Sequence, residues 1–558
     1  MTKNKVMMSV TRQYLDQLVI QSPSDIDNIE EELLKVTKTA IMEHNQAADK
    51  GDIWAVPQQL HTIQIAEVIS AVFPVRRIAC CPQNTDSDYD LLGIYMNEGE
   101  HEGIYVTSDD VFRKLIRKFD YTAESKKISE VMSALRDMVP RVTRNEDPDL
   151  IAVNNGIFNY RSKKLMSFSS DLVFLTKSSV DYNPNAKNPT IHNDEDNTDW
   201  NVEDWMKSLS DDEEIVELLW EIIGAIIRPN VQWNKSAWLY SETGNNGKGT
   251  LCELMRSICG DTSYASIPLS EFGKDFVLEP LTRASAIIVD ENDVGSFIDK
   301  AGNLKSIITN DVIQINRKFK TPIAYQFRGF MVQCLNEYPR IRDKSDSFYR
   351  RQLFIPMTKC FTGQERKYIK WDYLHRKEVL EYILYRVCNM NYYSLSEPAG
   401  CSKALIEYKE YNDPVRQFFD EIRSDVVWDL LPFVFLYDLY KQWFKLNSPS
   451  GTIQGRNTFI NDLLNVIKFD PEWSCPDKQH YYRVTDKNMS KTETLIAAYN
   501  LENWMDKKYK GPDIAKLCNP VLATGYRGIV RNTQATNQSV TMTAAIPQDD
   551  TDSDIITS

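Results

Sequence analysis

Residues 239–250 read "LYSETGNNGKGT", and Gly247 followed by Lys248 has the composition of a turn that holds phosphate. The usual pattern, G-x-x-x-x-G-K-[ST], places glycine where Glu242 stands and a hydroxyl where Gly249 stands, so the stretch departs from it at both ends. An apolar run precedes it and the helical run "GTLCELMRSI" follows, which is the setting a phosphate cradle needs. N–H groups at the start of that helix, together with its positive dipole end, favour an anion. Gly247 lets the backbone approach closely, and Lys248 supplies a point charge for the terminal phosphates. Gly244, Asn245, Asn246, Gly249 and Thr250 complete the loop. The competing reading is an asparagine-rich turn that happens to contain Gly-Lys.

Downstream, "AIIVDEND" has the pattern of a buried strand ending in Asp290 and Glu291. The first carboxylate suits magnesium, directly or through water, and the second suits orienting or polarising an attacking water. "FMVQCLN" is another apolar strand and ends in Asn336, whose amide can bridge a γ-phosphate and a lytic water. "SDSFYRRQLFIP" then sets Arg350 and Arg351 ahead of a further strand, where a guanidinium can neutralise charge on phosphate oxygens. Each piece alone is also what an ordinary strand entering a loop looks like; their order favours chemistry.

In that order, "GNNGKGT", "IIVDEND" and "QCLNEYPRIRDKSDSFYRRQLFIP" resemble the superfamily 3 AAA+ helicases and, within them, the phage and poxvirus helicase-primase ATPase family, over roughly residues 90–480. "LLGIYMNEGEHEGIYV" and "LIAVNNGIFNYRSKKL" resemble the region that precedes the ATPase in that family. The resemblance implies an ATP-dependent DNA helicase for phage or mobile-element replication, with ATP and Mg2+ as cofactors and a homo-hexamer ring on single-stranded DNA. It implies that Lys248 binds phosphates, that Asp290 serves magnesium with Glu291 serving water, and that Asn336 is the polar sensor. It further makes Arg351, and in second place Arg350, an arginine finger supplied to the neighbouring subunit. "LKSIITNDVIQINRKFKTPIAYQF" would be a DNA-contacting hairpin in the ring's channel. Its own residues agree, since Arg317, Lys318 and Lys320 surround Phe319 and set phosphate charge beside a stacking ring. The "NNGKGT" form is similar to loops of this family, so Gly249 does not exclude ATP. Thr250 offers magnesium a hydroxyl from the next helical position, about 100° further round. Glu242 has no assigned role.

The elements that must position these residues follow from hydrophobic periodicity. "SAWLYS", "ASAIIVD", "FMVQCLN" and "RQLFIP" alternate with helical stretches, which predicts an α/β core with a largely parallel sheet covered by helices. With the resemblance, the fold expected is an AAA+ P-loop ATPase core with an α+β N-terminal region and a C-terminal winged-helix-like domain. Residues 1–80 read as helical, 81–192 as an α+β domain of helicase-primase type, 193–212 as an acidic linker or solvated face, and 213–400 as the ATPase. Residues 405–490, three helices and the strand "HYYRVT", read as the winged-helix-like DNA-binding domain. A C-terminal extension over 491–529 and a disordered acidic tail over 530–558 complete the division.

The formal net charge of −14 speaks against a nucleic-acid partner only as a whole-chain sum. Residues 194–214 carry ten carboxylates against Lys207 alone, whereas residues 301–328 hold Lys305, Arg317, Lys318, Lys320 and Arg328 against Asp311, a local +4. Ten cysteines without a C-x-x-C and six histidines without ligand spacing argue against a zinc finger or a disulfide framework. No run has the length of a membrane span and the N-terminus has no signal core, so a cytoplasmic protein of a bacterial host, with no membrane partner, is expected. Two rival functions remain. Asp86, Asp88 and Asp90 in "NTDSDYDLL" would suit the metal pair of a primase-polymerase, although they sit in a polar loop. Arg456, Lys468, Lys478 and Arg483 would suit an ATP-gated initiator that binds origin duplex DNA without unwinding it. Other replication proteins are expected partners in either case.

Overall fold

The structure, a computed structural model, describes residues 2–20, 23–49, 51–81, 89–293, 297–298, 300–318, 320–341, 343–447, 453–506 and 508–532. They form two compact units that divide between Tyr408 and Lys409. Asp86, Asp88, Phe319 and the acidic tail from 533 onward lie outside the described residues.

In the first unit five strands make one sheet, in the order Tyr264–Ala265, Ala286–Val289, Phe330–Leu335, Ser236–Tyr240 and Gln352–Pro356. Every neighbouring pair is parallel. Four of these are the apolar runs read from the sequence; the fifth is a two-residue edge. A parallel sheet survives only with both faces covered, and every residue of Ser236–Tyr240, Ala286–Val289 and Phe330–Leu335 is buried. Successive side chains alternate between two layers. Ala237, Leu239, Ile288 and Val332 pack with the helices Glu213–Ile226, Lys248–Cys259 and Lys377–Cys388. Trp238, Tyr240, Ile287 and Met331 face the opposite layer with Phe348, Phe354 and Tyr408. Because the strands are parallel, their C-terminal ends share one edge, and the pairing of Tyr240 with Leu335 and of Val289 with Gln333 aligns the residues that follow.

Three divisions of the chain differ from the sequence reading. Strand Val75–Ile78 pairs with Leu91–Tyr95 and with Arg141–Val142, so a boundary after residue 80 cuts one sheet. "VRRI" is too short and too charged to announce itself, and only the burial of Val75 and Ile78 makes it a strand. The acidic segment is no linker. Its hairpin Ile191–Asn193/Thr198–Trp200 leads into helix Val202–Ser208, and Trp200, Val202, Trp205 and Met206 are buried in the core while Asp199 and Asp204 face solvent.

In the second unit Gly525–Arg531 pairs with Leu430–Pro432, Trp473–Ser474 and Tyr481–Arg483. Much of the supposed extension over 491–529 therefore belongs to the same core as helices Pro414–Ile422, Phe433–Asn447 and Arg456–Val466. Arg456, Lys468, Lys478 and Arg483 are all exposed.

Asp90, a cue for the primase reading, is buried and held by Arg141 at 2.7 Å and Arg77 at 3.3 Å. Its carboxylate is committed to ion pairs within the N-terminal sheet. All ten cysteines are free thiols and eight are buried. Among the described residues no helix is long and apolar enough to cross a membrane.

The register of the central sheet depends on one close approach: a Cβ on Gly329 would lie 2.1 Å from the Ser285 carbonyl oxygen, where Ala286 pairs with Phe330. Gly329→Ala is expected to destabilise the first unit by about 1–3 kcal/mol, as overpacking against backbone does. Denaturant melts check this, and an unchanged midpoint would contradict the register.

Candidate phosphate-binding site

The loop leaves Tyr240 and turns through two left-handed residues, Asn245 at φ 55° and Gly247 at φ 85°. Gly247 caps the Lys248–Cys259 helix, and a Cβ there would meet Leu209 Cδ2 at 2.7 Å. The asparagines are tethers. Asn246 accepts from the Lys248 N–H at 3.4 Å and donates to the Thr243 carbonyl. Asn245 accepts from the Phe361 N–H at 2.7 Å, and its side-chain amide donates to Glu365 at 3.0 Å. Gly244 has open space around it.

Lys248 is 5% exposed, and its ammonium donates to the Ser241 carbonyl at 3.4 Å. Burial pushes its pKa down, so an anion arriving beside it stabilises the charged form. Glu242 is turned aside: its carboxylate accepts from the Tyr240 hydroxyl at 3.0 Å, and the Tyr240 ring stacks on Tyr338 at 4.1 Å. That gives the residue at the pattern's first departure a role in fixing the strand end.

Asp290 and Asn336 follow the buried strands Ala286–Val289 and Phe330–Leu335 and so reach the edge from which the loop rises. Arg256, on the loop helix, approaches Asp290 Oδ1 at 2.9 Å, and this hydrogen bond holds the carboxyl below the usual carboxylate range. Glu291 and Asn336 are exposed. The residue that fastens the acid loop is Asn292. It donates to Gln333 Oε1 and to the Cys334 carbonyl, each at 3.0 Å, and accepts from the Leu269 N–H at 2.8 Å.

The two arginines belong to the other edge. The Arg351 carbonyl accepts from the Ser236 N–H at 2.8 Å, at the start of strand Ser236–Tyr240, so about 13 Å of extended chain separates it from the loop. The Arg351 guanidinium folds back onto Ser347 Oγ at 2.8 Å, while Arg350 is exposed. The sequence ranks Arg351 first; the structure turns Arg350 outward, because Ser347 lies one helical turn before Arg351 and captures it.

The basic hairpin is present as Val312–Arg317 paired with Lys320–Gln326, with a bulge between Ile315 and Arg317. Much of the charge of residues 301–328 is compensated, in contrast to the local +4 of the sequence: Lys320 of the hairpin pairs with Asp109 at 2.5 Å, and outside the hairpin Lys305 pairs with Asp343 at 2.6 Å and Arg328 with Glu146 at 2.6 Å. Arg317 donates to the Thr321 carbonyl at 2.9 Å, and Lys318 is exposed at the tip.

A cavity of about 780 Å³ opens beside the loop, lined by Gly247 and Thr250, by Trp205 and Leu209 of the acidic segment, and by Phe361 and Lys370. Sequence reasoning missed this wall. It also missed Arg256, although Lys248, Cys252 and Arg256 recur every fourth residue and so share one helix face.

Residues 66–194 match a family model described as D5 N terminal like, and residues 410–501 one described as Poxvirus D5 protein-like. These matches indicate a D5-like protein. The D5-like type is that of phage and poxvirus primase-helicases. Residues 239–351, which hold the cradle, match a family of unknown function (DUF5906). No curated protein matches this chain. Similar solved structures include the apo C-terminal region of NrS-1, at 14% identity over 73% of this chain and 87% of that chain, with a TM-score of 0.39. A second apo structure of the same region, residues 305–718, has 14% identity over 70% and 95% of the two chains, with a TM-score of 0.38.

The loop's two glycines differ in their need for glycine. At Gly249 the nearest atom to an added Cβ is Lys370 Nζ at 3.6 Å, an ordinary contact. Gly247→Ala is expected to lower stability by about 1 kcal/mol or more, from its left-handed φ and the Leu209 contact, whereas Gly249→Ser leaves the melting temperature nearly unchanged. Equal losses at the two positions would contradict this loop geometry.

Proposed function

We propose that this protein is an ATP-dependent DNA helicase of phage or mobile-element replication, built on an AAA+ P-loop core and active as a ring. The observation that carries this reading is the convergence, at one edge of a parallel sheet, of a left-handed glycine cradle with buried Lys248 and of Asp290, Glu291 and Asn336. Ligands of open parallel sheets sit outside the carboxyl ends of the strands, where the strand order switches. Here the first strand of the core is inserted between the fourth and fifth.

The residues fit a nucleoside triphosphate with magnesium. Gly247 frees the helix N–H groups for phosphate oxygens, Lys248 supplies a charge already desolvated, and the adjoining cavity has room for a nucleoside. Asp290, kept ionised by Arg256, and the Thr250 hydroxyl would hold the metal, which neutralises phosphate charge when bound. Glu291, exposed beside Asp290, orients the attacking water, and Asn336 contacts the terminal phosphate. Arg350, on the far edge of the sheet, is out of reach of its own loop and serves the loop of a neighbouring copy. The hairpin tip, with Arg317, Lys318 and Lys320, contacts single-stranded DNA, and Lys320 exchanges Asp109 for a phosphate there.

The rival initiator reading is supported by the exposure of Arg456, Lys468, Lys478 and Arg483 on a helical unit with a small sheet; unwinding of a forked duplex separates it from a helicase. The ion pairs of Asp90 count against that residue as a primase metal ligand.

Lys248→Ala and Asp290→Asn are each expected to cut ATP hydrolysis by about 10²- to 10³-fold with circular dichroism unchanged. Wild-type turnover in either variant would remove the site assignment. Arg350→Ala is expected to bind ATP yet lose about 10³- to 10⁵-fold in rate, and to regain hydrolysis when mixed with Lys248→Ala subunits. Mixed assemblies verified by mass, with activity no higher than that of either parent, would refute donation between subunits.

A further inference from the structure

A cation sits over the phosphate loop that belongs to neither the loop nor the sheet. Lys370 comes from the short helix Lys367–Trp371, and its ammonium lies 3.6 Å from where a Cβ of Gly249 would stand. It lines the same cavity as Gly247 and Thr250. Its field also reaches Asp290, whose carboxyl it helps to hold down, behind the larger effect of Arg256. Three neighbours fix its approach. Ile369 is buried, the Tyr368 hydroxyl donates to Asp196 Oδ2 at 2.6 Å, and the Lys370 ammonium lies 4.8 Å from the centre of the Trp371 ring. The segment is tied to the loop itself by the Phe361 N–H on the Asn245 carbonyl at 2.7 Å.

This placement is unfavourable without an anion. A positive charge at the start of a helix opposes the helix dipole, and a second ammonium, that of Lys248, is buried in the same loop. Among the described residues neither lysine has a carboxylate within ion-pair distance: Asp290 is taken by Arg256, and Asp196, Asp199, Asp204 and Glu365, which line the same cavity, form no ion pair with Lys370. A buried ammonium at the head of the loop helix and a second one over Gly249, neither ion-paired, form a receptor for a polyanion. Gly249 leaves the space beneath the second ammonium open, since a Cβ there would already be in van der Waals contact with it.

We propose that Lys370 is a second phosphate-binding cation of this loop, reaching the nucleotide over Gly249. The proposal rests on the nucleotide reading above. It makes the segment 361–371 part of the nucleotide site. Binding and release of the triphosphate then pull on that segment, and through Tyr368 and Asp196 on the acidic hairpin.

The test is titration of the full chain with fluorescent AMP, ADP and ATP, comparing wild type with Lys370→Met, Lys370→Arg and Lys248→Met. Lys370→Met keeps the stem on Trp371 and removes the charge. It is expected to weaken ATP by about 10- to 100-fold, the size of a lost charged hydrogen bond, ADP by less, and AMP hardly at all. The melting temperature of the ligand-free protein should stay within error of wild type. Lys370→Arg should retain most of the affinity. Equal ATP affinity in Lys370→Met and wild type, with Lys248→Met defective, overturns the role of Lys370 and leaves the nucleotide reading standing. A uniform loss across AMP, ADP and ATP also overturns it, since that pattern belongs to packing and not to phosphate charge. Absence of any triphosphate binding in the wild type overturns both.

Discussion

The pairing of strand Ser236–Tyr240 between Phe330–Leu335 and Gln352–Pro356 is the constraint on which the rest of the first unit depends. Three segments far apart in the chain are brought into register by parallel ladders, and a slip of one residue would exchange the two buried faces. Because both faces are packed, Trp238 and Leu239 cannot trade layers without burying each in the wrong core. The alignment that places Ser241, Asp290 and Asn336 on one edge is thus a by-product of packing. The chemistry is attached to the ends of strands whose own residues are held for hydrophobic reasons.

The same pairing separates the arginines from the loop. In a parallel sheet the residues before a strand and the residues after its neighbour are on opposite edges, so Arg350 cannot be brought to Lys248 by any side-chain rotation. The distance between Arg350 and Lys248 within one chain thus follows from strand direction. Arg351 meanwhile has a structural task on the same edge, its carbonyl closing the ladder on Ser236 and its guanidinium closing on Ser347. Adjacent residues of the same type are thereby divided between holding the fold and facing outward.

What was legible in the sequence was whatever a short window contains. Four apolar runs, two of them leading directly into Asp290 and Asn336, were enough to read the parallel sheet and to put Asp290, Glu291 and Asn336 at the strand ends beside the loop of Lys248. The strand Val75–Ile78 and the strand Gly525–Arg531 were not legible, since their partners lie in distant segments and nothing local marks "VRRI" as buried. The acidic hairpin misled for a related reason: ten carboxylates outweigh Trp200, Trp205 and Met206 in any composition count, although three buried side chains decide where a segment packs. Ion pairs were equally invisible. The local +4 of residues 301–328 dissolves because Asp109, Glu146 and Asp343 are delivered by other elements.

The departures of the loop from the usual pattern become intelligible once its neighbours are included. Glu242 does not enter the cradle, since its carboxylate is spent on the Tyr240 hydroxyl and Tyr240 is clamped against Tyr338. Gly247 keeps the one backbone conformation that a side chain would not tolerate, and Leu209 from the acidic segment closes over it. Gly249 is different: its φ demands nothing, and its open side faces Lys370. No backbone constraint calls for glycine there, and among the described residues Lys370 has no ion-paired carboxylate. Glycine has a lower helix propensity than alanine, so the helix Lys248–Cys259 does not itself call for it at its second residue.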